Sequence, residues 1–180
     1  MTDRMPNAHR TNPEWRNMLD DQTQVLRKPV FNYLFDLEVK KAIRYQYFLT
    51  LLFLELDSTE STTRKDEDDR WPQREQVRVL AGLLRDELRS TDVIGRQEDG
   101  RFSVLLHHAD EVNTLRIGER LRRRIEDYAF SRGQEGRKTV SIGGACFPTS
   151  GNYPEDLLSA ADQMLERAKE EGGNKVYLYT

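Results

Sequence analysis

Apolar positions along the chain switch between a helical and a strand-like period, and each switch marks the edge of an element. After Pro29, Phe31, Leu34, Phe35, Ala42 and Ile43 fall at helical spacing while Lys40, Lys41 and Arg44 face elsewhere. Phe48 to Asp57 is then a near-continuous apolar run that ends in Glu55-Leu56-Asp57, which predicts a buried central strand. Its alternation puts Glu55 and Asp57 on one side. Pro72 restarts a helix, with Val77, Leu80, Ala81, Leu84 and Leu88 as its apolar stripe, ending around Arg89. Val93-Ile94 and Phe102 to Leu106 flank Asp99-Gly100, a pairing that predicts a hairpin because both turn residues accept positive φ.

Ala109 to Tyr128 reads as a helix with two unlike faces. Leu115, Gly118, Leu121, Ile125 and Tyr128 are expected to face a core, and Arg116, Arg120, Arg123 and Arg124 lie elsewhere. Thr139 to Phe147 is a strand in which Gly143 and Gly144 allow close packing on one side. A last helix runs from Pro154 through Leu157, Leu158, Ala161, Leu165 and Ala168, stops at Gly172-Gly173, and leads to a closing strand from Asn174 to Tyr179. Strands alternating with helices around a central hairpin predict an α+β fold, a mainly antiparallel central sheet surrounded by α-helices.

Ahead of this body, Asn12-Pro13-Glu14 has the form of a helix start, and a short helix to about Asp20 is expected. The expected division is a tail with that helix over residues 1–20 and one domain over 21–180. Ser58 to Trp71 is charged and lacks an apolar pattern, so it reads as a solvated loop.

Charged residues make up 33% of the 180 residues, yet the net charge is only −3, so nothing in the totals pulls the chain toward nucleic acid or an anionic membrane. An anion site would have to be a local group of arginines, and the stripe at 116, 120, 123 and 124 is the densest one. The longest apolar run is too short to span a bilayer, and the single cysteine, Cys146, sits in a strand-like run as a structural thiol. A cytoplasmic location is expected. Walker, zinc, nucleophile-elbow and dinucleotide signatures are absent, and His107-His108 has no third metal ligand nearby. The residues alone leave one acidic grouping open. Glu55 and Asp57 at a strand end, with Glu98 and Asp99 in the turn, would surround a Mg²⁺ ion if the strands are neighbours.

The order of these pieces resembles the GGDEF domain, the catalytic domain of bacterial diguanylate cyclases, over about Asp21 to Tyr179. Asp21 to Lys28 stands where the family has D-x-L-T-G-L-x-N-R-R, and Glu55-Leu56-Asp57 stands for its D-x-D. Asp92-Val93-Ile94-Gly95-Arg96 matches D-x-x-x-R, followed by Glu98-Asp99-Gly100-Arg101-Phe102 in the signature position. Val140-Ser141-Ile142-Gly143, Ala161-Asp162, Ala168-Lys169 and Gly172-Gly173-Asn174-Lys175-Val176 match the remaining motifs in order.

The same resemblance implies a catalytic site that has decayed to a vestige: Glu55, Asp57, Glu98, Asp99, Gly100, Arg101 and Lys169. The family keeps small residues at the first two signature positions so that the backbone can approach GTP. Glu98 and Asp99 there place bulk and negative charge against a triphosphate, a like-charge contact worth several kcal/mol at about 4 Å and intermediate dielectric. The third and fourth positions, acids serving metal and catalysis in the family, are Gly100 and Arg101. Gly173 replaces an arginine. No cyclase activity, no cofactor and no Mg²⁺ are expected.

The resemblance also implies a surviving second site. In the family, R-x-x-D ahead of the signature hairpin is the inhibitory site that binds cyclic di-GMP, and Arg89-Ser90-Thr91-Asp92 has that pattern at that place. A further arginine of the site lies in the next helix, where Arg120 corresponds. Lys41 or Arg44 would be the contact that a second protomer supplies in some family dimers. Arginine bonds guanine N7 and O6 bidentately or clamps phosphate, and an aspartate accepts from guanine's other edge. The expected function is a catalytically inactive cyclic di-GMP receptor that regulates a partner protein, with a ligand-linked homodimer as one form. The alternative is an interaction module indifferent to nucleotide.

Overall fold

The computed structural model of the chain describes residues 17–57, 73–97, 100–128 and 138–180. The elements in order are β1 (Leu26–Arg27), α1 (Lys28–Tyr45), β2 (Leu49–Leu56), α2 (Gln73–Glu87), β3 (Val93–Arg96), β4 (Phe102–His107), α3 (Glu111–Glu126), β5 (Val140–Phe147), α4 (Pro154–Glu170) and β6 (Val176–Tyr179). They form one six-stranded sheet in the order β1-β3-β4-β2-β5-β6. The strongly apolar β2 lies near its centre, antiparallel to both β4 and β5, and β3 is antiparallel to β4. Parallel pairing occurs only at the rims, β1 with β3 and β5 with β6. The mainly antiparallel sheet with surrounding helices is as the sequence pattern predicts.

Because side chains alternate across a strand, β2 feeds two cores. Leu52 and Leu54 join Val77, Leu80, Leu84, Leu121 and Ile125 beneath α2 and α3. Leu49, Leu51 and Phe53 join Phe31, Phe35, Leu157 and Leu165 beneath α1 and α4. Full burial of each such side chain stabilises the fold by about 1.5–3 kcal/mol, so β2, buried from Leu49 to Phe53 and Leu54, is the main hydrophobic investment of the sheet.

Several expectations change in detail. The helix expected to run to about Asp20 falls largely outside the described residues, and its end is a turn followed by an isolated bridge, Leu19 to Leu26. In α1 Val39, not Ile43, completes the buried stripe, because Phe35, Val39 and Ala42 stack on one face while Ile43 turns outward. Leu115 in α3 is 41% exposed, and Thr114 is buried in its place, satisfied by the hydroxyl of Thr50. Gly143 and Gly144 serve opposite faces. A Cβ on Gly143 would meet the backbone of Leu165 and Ala161 in α4, and one on Gly144 would meet Leu52 and Leu178 side chains. The first contact lets α4 lie directly on the sheet. Cys146 is buried beside the Thr50 hydroxyl, and burial raises its thiol pKa.

Candidate functional site

Two corners carry the residues singled out above, and the sheet separates them. The first lies where α2 ends and β3 begins. Asp92 closes a tight turn there: its Oδ2 accepts the Arg89 N–H at 3.0 Å, and its own N–H donates to the Arg89 carbonyl at 3.0 Å. The carboxylate thus grips the backbone of Arg89 and leaves its guanidinium exposed, with no ion-pair partner among the described residues. Arg120 reaches the same corner from α3. Its Nη2 donates to the Glu87 carbonyl at 2.8 Å, and its Nε pairs with Glu87 Oε2 at 3.1 Å. The other carboxylate oxygen, Oε1, holds Arg124 at 3.4 Å. Arg89, Asp92 and Arg120 therefore belong to one corner, tied together through the last turn of α2. Glu87 was not singled out by sequence pattern, since it lies outside R-x-x-D and its partners lie in a different helix.

Lys41 and Arg44 sit on α1, across the sheet from that corner. Lys41 pairs with Glu38 at 2.6 Å and the Arg44 guanidinium lies 5.5 Å from the centre of the Tyr45 ring. Within one chain the fold does not bring them to Arg89. Beside them, Tyr47 and His107 share Glu38 Oε2 at 3.0 and 3.2 Å. Burial and the adjacent Glu38 push the Tyr47 phenol up to about 12. His108 stacks against Tyr47 with ring centroids 4.7 Å apart. The histidine pair is thus engaged in packing and hydrogen bonding.

The second corner, on the α1–α4 face, collects the residues that the sequence matched to the family's catalytic positions. Arg101 enters β4 opposite Glu55, and its Nε pairs with Glu55 Oε2 at 3.1 Å. Its Nη1 meets Asp162 at 2.5 Å and its Nη2 meets Glu166 at 2.7 Å, both acids one turn apart on α4. Lys169, a further turn along, pairs with Glu55 at 3.1 Å and Glu166 at 3.6 Å. Asp57 is turned to a different task. It accepts the hydroxyls of Thr139 and Ser141, both at 2.6 Å, and the Asn174 N–H at 2.8 Å. Gly173 makes room for this, with φ +74° and a position where a Cβ would lie 2.9 Å from the Asp57 carboxyl carbon.

These donors do not fit a divalent cation. A guanidinium and an ammonium bridge Glu55 and the α4 acids, and both oxygens of Asp57 are engaged by protein donors. Among the described residues no group of His, Cys, Asp or Glu has the arrangement to hold a metal. The Mg²⁺ grouping considered from sequence is therefore not assembled by Glu55 and Asp57; Glu98 and Asp99 lie outside the described residues. Gly100 takes φ +88°, as the turn needs, and Phe102 is fully buried in the core.

A third arrangement anchors the opening of the domain. Asp20 Oδ2 accepts the Thr23 N–H and hydroxyl at 2.8 and 2.7 Å, and Arg96 Nη1 reaches it at 3.3 Å. Burial works against its charge, but the Thr23 bonds and Arg96 outweigh it and hold the carboxyl below its ordinary range. The acid that serves the opening motif is thus Asp20, one residue before the Asp21 matched from sequence.

Residues 17–175 match the family model described as the GGDEF domain of diguanylate cyclases. The chain belongs to the GGDEF family. Among curated relatives, the diguanylate cyclase DosC of Escherichia coli strain K12 is 30% identical over 166 residues, 89% of this chain and 35% of DosC. The uncharacterized protein YhcK of Bacillus subtilis strain 168 is 32% identical over 131 residues, 70% of this chain and 35% of YhcK. The GGDEF chain therefore spans about a third of the length of these relatives. Among solved structures, the coiled coil and GGDEF domain of DgcB from Caulobacter crescentus, in complex with c-di-GMP, superposes with a TM-score of 0.78 at 18% identity, covering 92% of this chain and 88% of that one. The FimX GGDEF domain from Pseudomonas aeruginosa gives 0.78 at 22% identity, covering 90% and 99%. These likenesses establish the GGDEF fold. Among the described residues, no helix is long and apolar enough to cross a membrane.

Proposed function

We propose that this chain is a catalytically inactive GGDEF domain that binds cyclic di-GMP through Arg89, Asp92 and Arg120 and transmits the binding to a partner protein. The observation that carries the reading is the corner itself: the Asp92 carboxylate fixes the Arg89 turn, and Arg120 is delivered to the same helix end by its bonds to Glu87. One exposed guanidinium, one anchored guanidinium and an acid at the same helix end match a ligand with two guanines and two phosphates. DgcB carries c-di-GMP in its solved complex, which supports the ligand class.

Loss of catalysis is the second half of the proposal. Arg101 stands where a catalytic acid is expected, and its charge is spent on Glu55, Asp162 and Glu166. We further propose a cytoplasmic setting and a homodimer linked by ligand, with Lys41 or Arg44 contributed by the second protomer.

Titration calorimetry with cyclic di-GMP, on the protein and on Arg89→Ala, tests the reading. Binding that the substitution weakens is expected; no heat at high micromolar ligand would sink it. One observation favours the alternative, an interaction module blind to nucleotide: Arg120 and Arg124 are already paired with Glu87. Partner binding that ignores nucleotide and survives Arg120→Ala would support that alternative.

A further inference from the structure

We infer that Glu87 is the positioning residue of this ligand corner, holding Arg120 by one edge so that its opposite edge faces the ligand. The inference rests on the proposed cyclic di-GMP site and concerns how the free protein prepares it.

A guanidinium has five N–H groups in a planar fork. Glu87 engages the Nε–Nη2 edge of Arg120 from two directions, with its carboxylate on Nε at 3.1 Å and its backbone carbonyl on Nη2 at 2.8 Å. Two acceptors from one residue fix both the position and the tilt of the plane. Among the described residues no contact takes the Nη1 hydrogens, which leaves the end-on fork to bond guanine O6 and N7 or a phosphate. The Arg120 side chain is 55% exposed, whereas that of Glu87 is only 22% exposed.

The placement of Glu87 itself needs an explanation. A carboxylate in the last turn of a helix opposes the helix dipole, which favours cations there. The two guanidiniums of α3 offset that cost. Charge at the corner stays favourable for an anion: Arg89, Arg120 and Arg124 against Glu87 and Asp92 leaves three minus two, a surplus of one positive charge. Ordering Arg120 before the ligand arrives reduces what binding must order. Glu87 thus holds an arginine ready without neutralising the site.

The test uses the full chain with cyclic di-GMP as probe, in wild type, Glu87→Gln and Glu87→Ala, each with a thermal melt and with ¹⁵N–¹H spectra of the arginine Nε–H groups before ligand. Expected are a slowly exchanging Arg120 Nε–H in the free wild type and its loss in Glu87→Ala at nearly unchanged melting temperature. Glu87→Gln, which keeps an acceptor, should bind within about threefold of wild type, and Glu87→Ala about tenfold more weakly. Glu87→Ser, too short to reach Nε, gives the same comparison should the alanine variant prove unstable. Wild-type binding with an undiminished or tighter Glu87→Ala overturns this inference alone. A wild type that gives no heat overturns the receptor reading and this inference with it.

Discussion

Arg101 Nε stands 3.1 Å from Oε2 of Glu55, across the pair of strands at the centre of the sheet. Arg101 and Lys169 together supply positive charge among Glu55, Asp162 and Glu166. The expected consequence is an absence of turnover: incubation with GTP and Mg²⁺ should yield no cyclic di-GMP, and Glu55→Ala should change nothing in that assay. Product that disappears in Glu55→Ala would show a working active site.

Arg101→Ala should lower stability by about 1–2 kcal/mol, between the values for surface and buried pairs, because Arg101 is 20% exposed and its removal leaves Lys169 as the one cation facing Glu55, Asp162 and Glu166 among the described residues. Urea unfolding would register it as a lower midpoint with an unchanged slope.

Two glycines should respond in opposite senses to alanine. At Gly143 the new Cβ would fall 2.0 Å from the Leu165 nitrogen and 2.5 Å from the Ala161 oxygen, both rigid helix backbone. A loss of about 3 kcal/mol or more is expected, read from the denaturant midpoint. Gly82 in α2 has nothing within 4 Å of that point, so alanine should stabilise by about 0.5–1 kcal/mol through helix propensity.

The Glu38 cluster sets a pH dependence. Burial opposes the Glu38 charge, but Lys41, the Tyr47 hydroxyl and His107 outweigh it and hold the carboxyl below its ordinary value of 4.5. A depressed carboxylate stabilises the fold above its unfolded pKa, and that contribution is lost as pH falls through the folded one. Glu38→Gln should therefore be less stable than wild type by about 1 kcal/mol near pH 7, with the gap closing in denaturant titrations as pH falls below 4.5.

Cys146 should behave as a core atom. Burial pushes its thiol up, and the Thr50 and Thr114 hydroxyls enclose it. A disulfide reagent is expected to label it only at the rate of unfolding, far more slowly than a free thiol at the same pH.

Helix and strand placement was legible because each stretch carries a sustained period, and β2 was legible as central because its apolar run lacks alternation. Ile43 and Leu115 misled for a shared reason: each lies at the margin of an apolar stripe, where one residue of helical rotation exchanges inside for outside. Arg89, Asp92 and Arg120 could be named from order along the chain, but their tethers could not. Glu87 reaches Arg120 and Arg124 across two helices, and Asp57 closes on Gly173 across β5 and α4, contacts that no local spacing encodes. Asp162 and Glu166 were closer to hand, since an i, i+4 pair of acids one turn before Lys169 marks a charged helix face.

The sheet that divides the two cores also keeps two clusters of charge apart. Arg101 with its acids is packed on the α4 side, and Arg89, Asp92 and Arg120 stand on the α2–α3 side. Substitutions at such separated positions add independently. A combined Arg101→Ala, Arg120→Ala protein should therefore lose, relative to wild type, the sum of the losses of the two single variants. The same independence would let side chains on one face of the sheet change while the corner on the other face keeps its geometry.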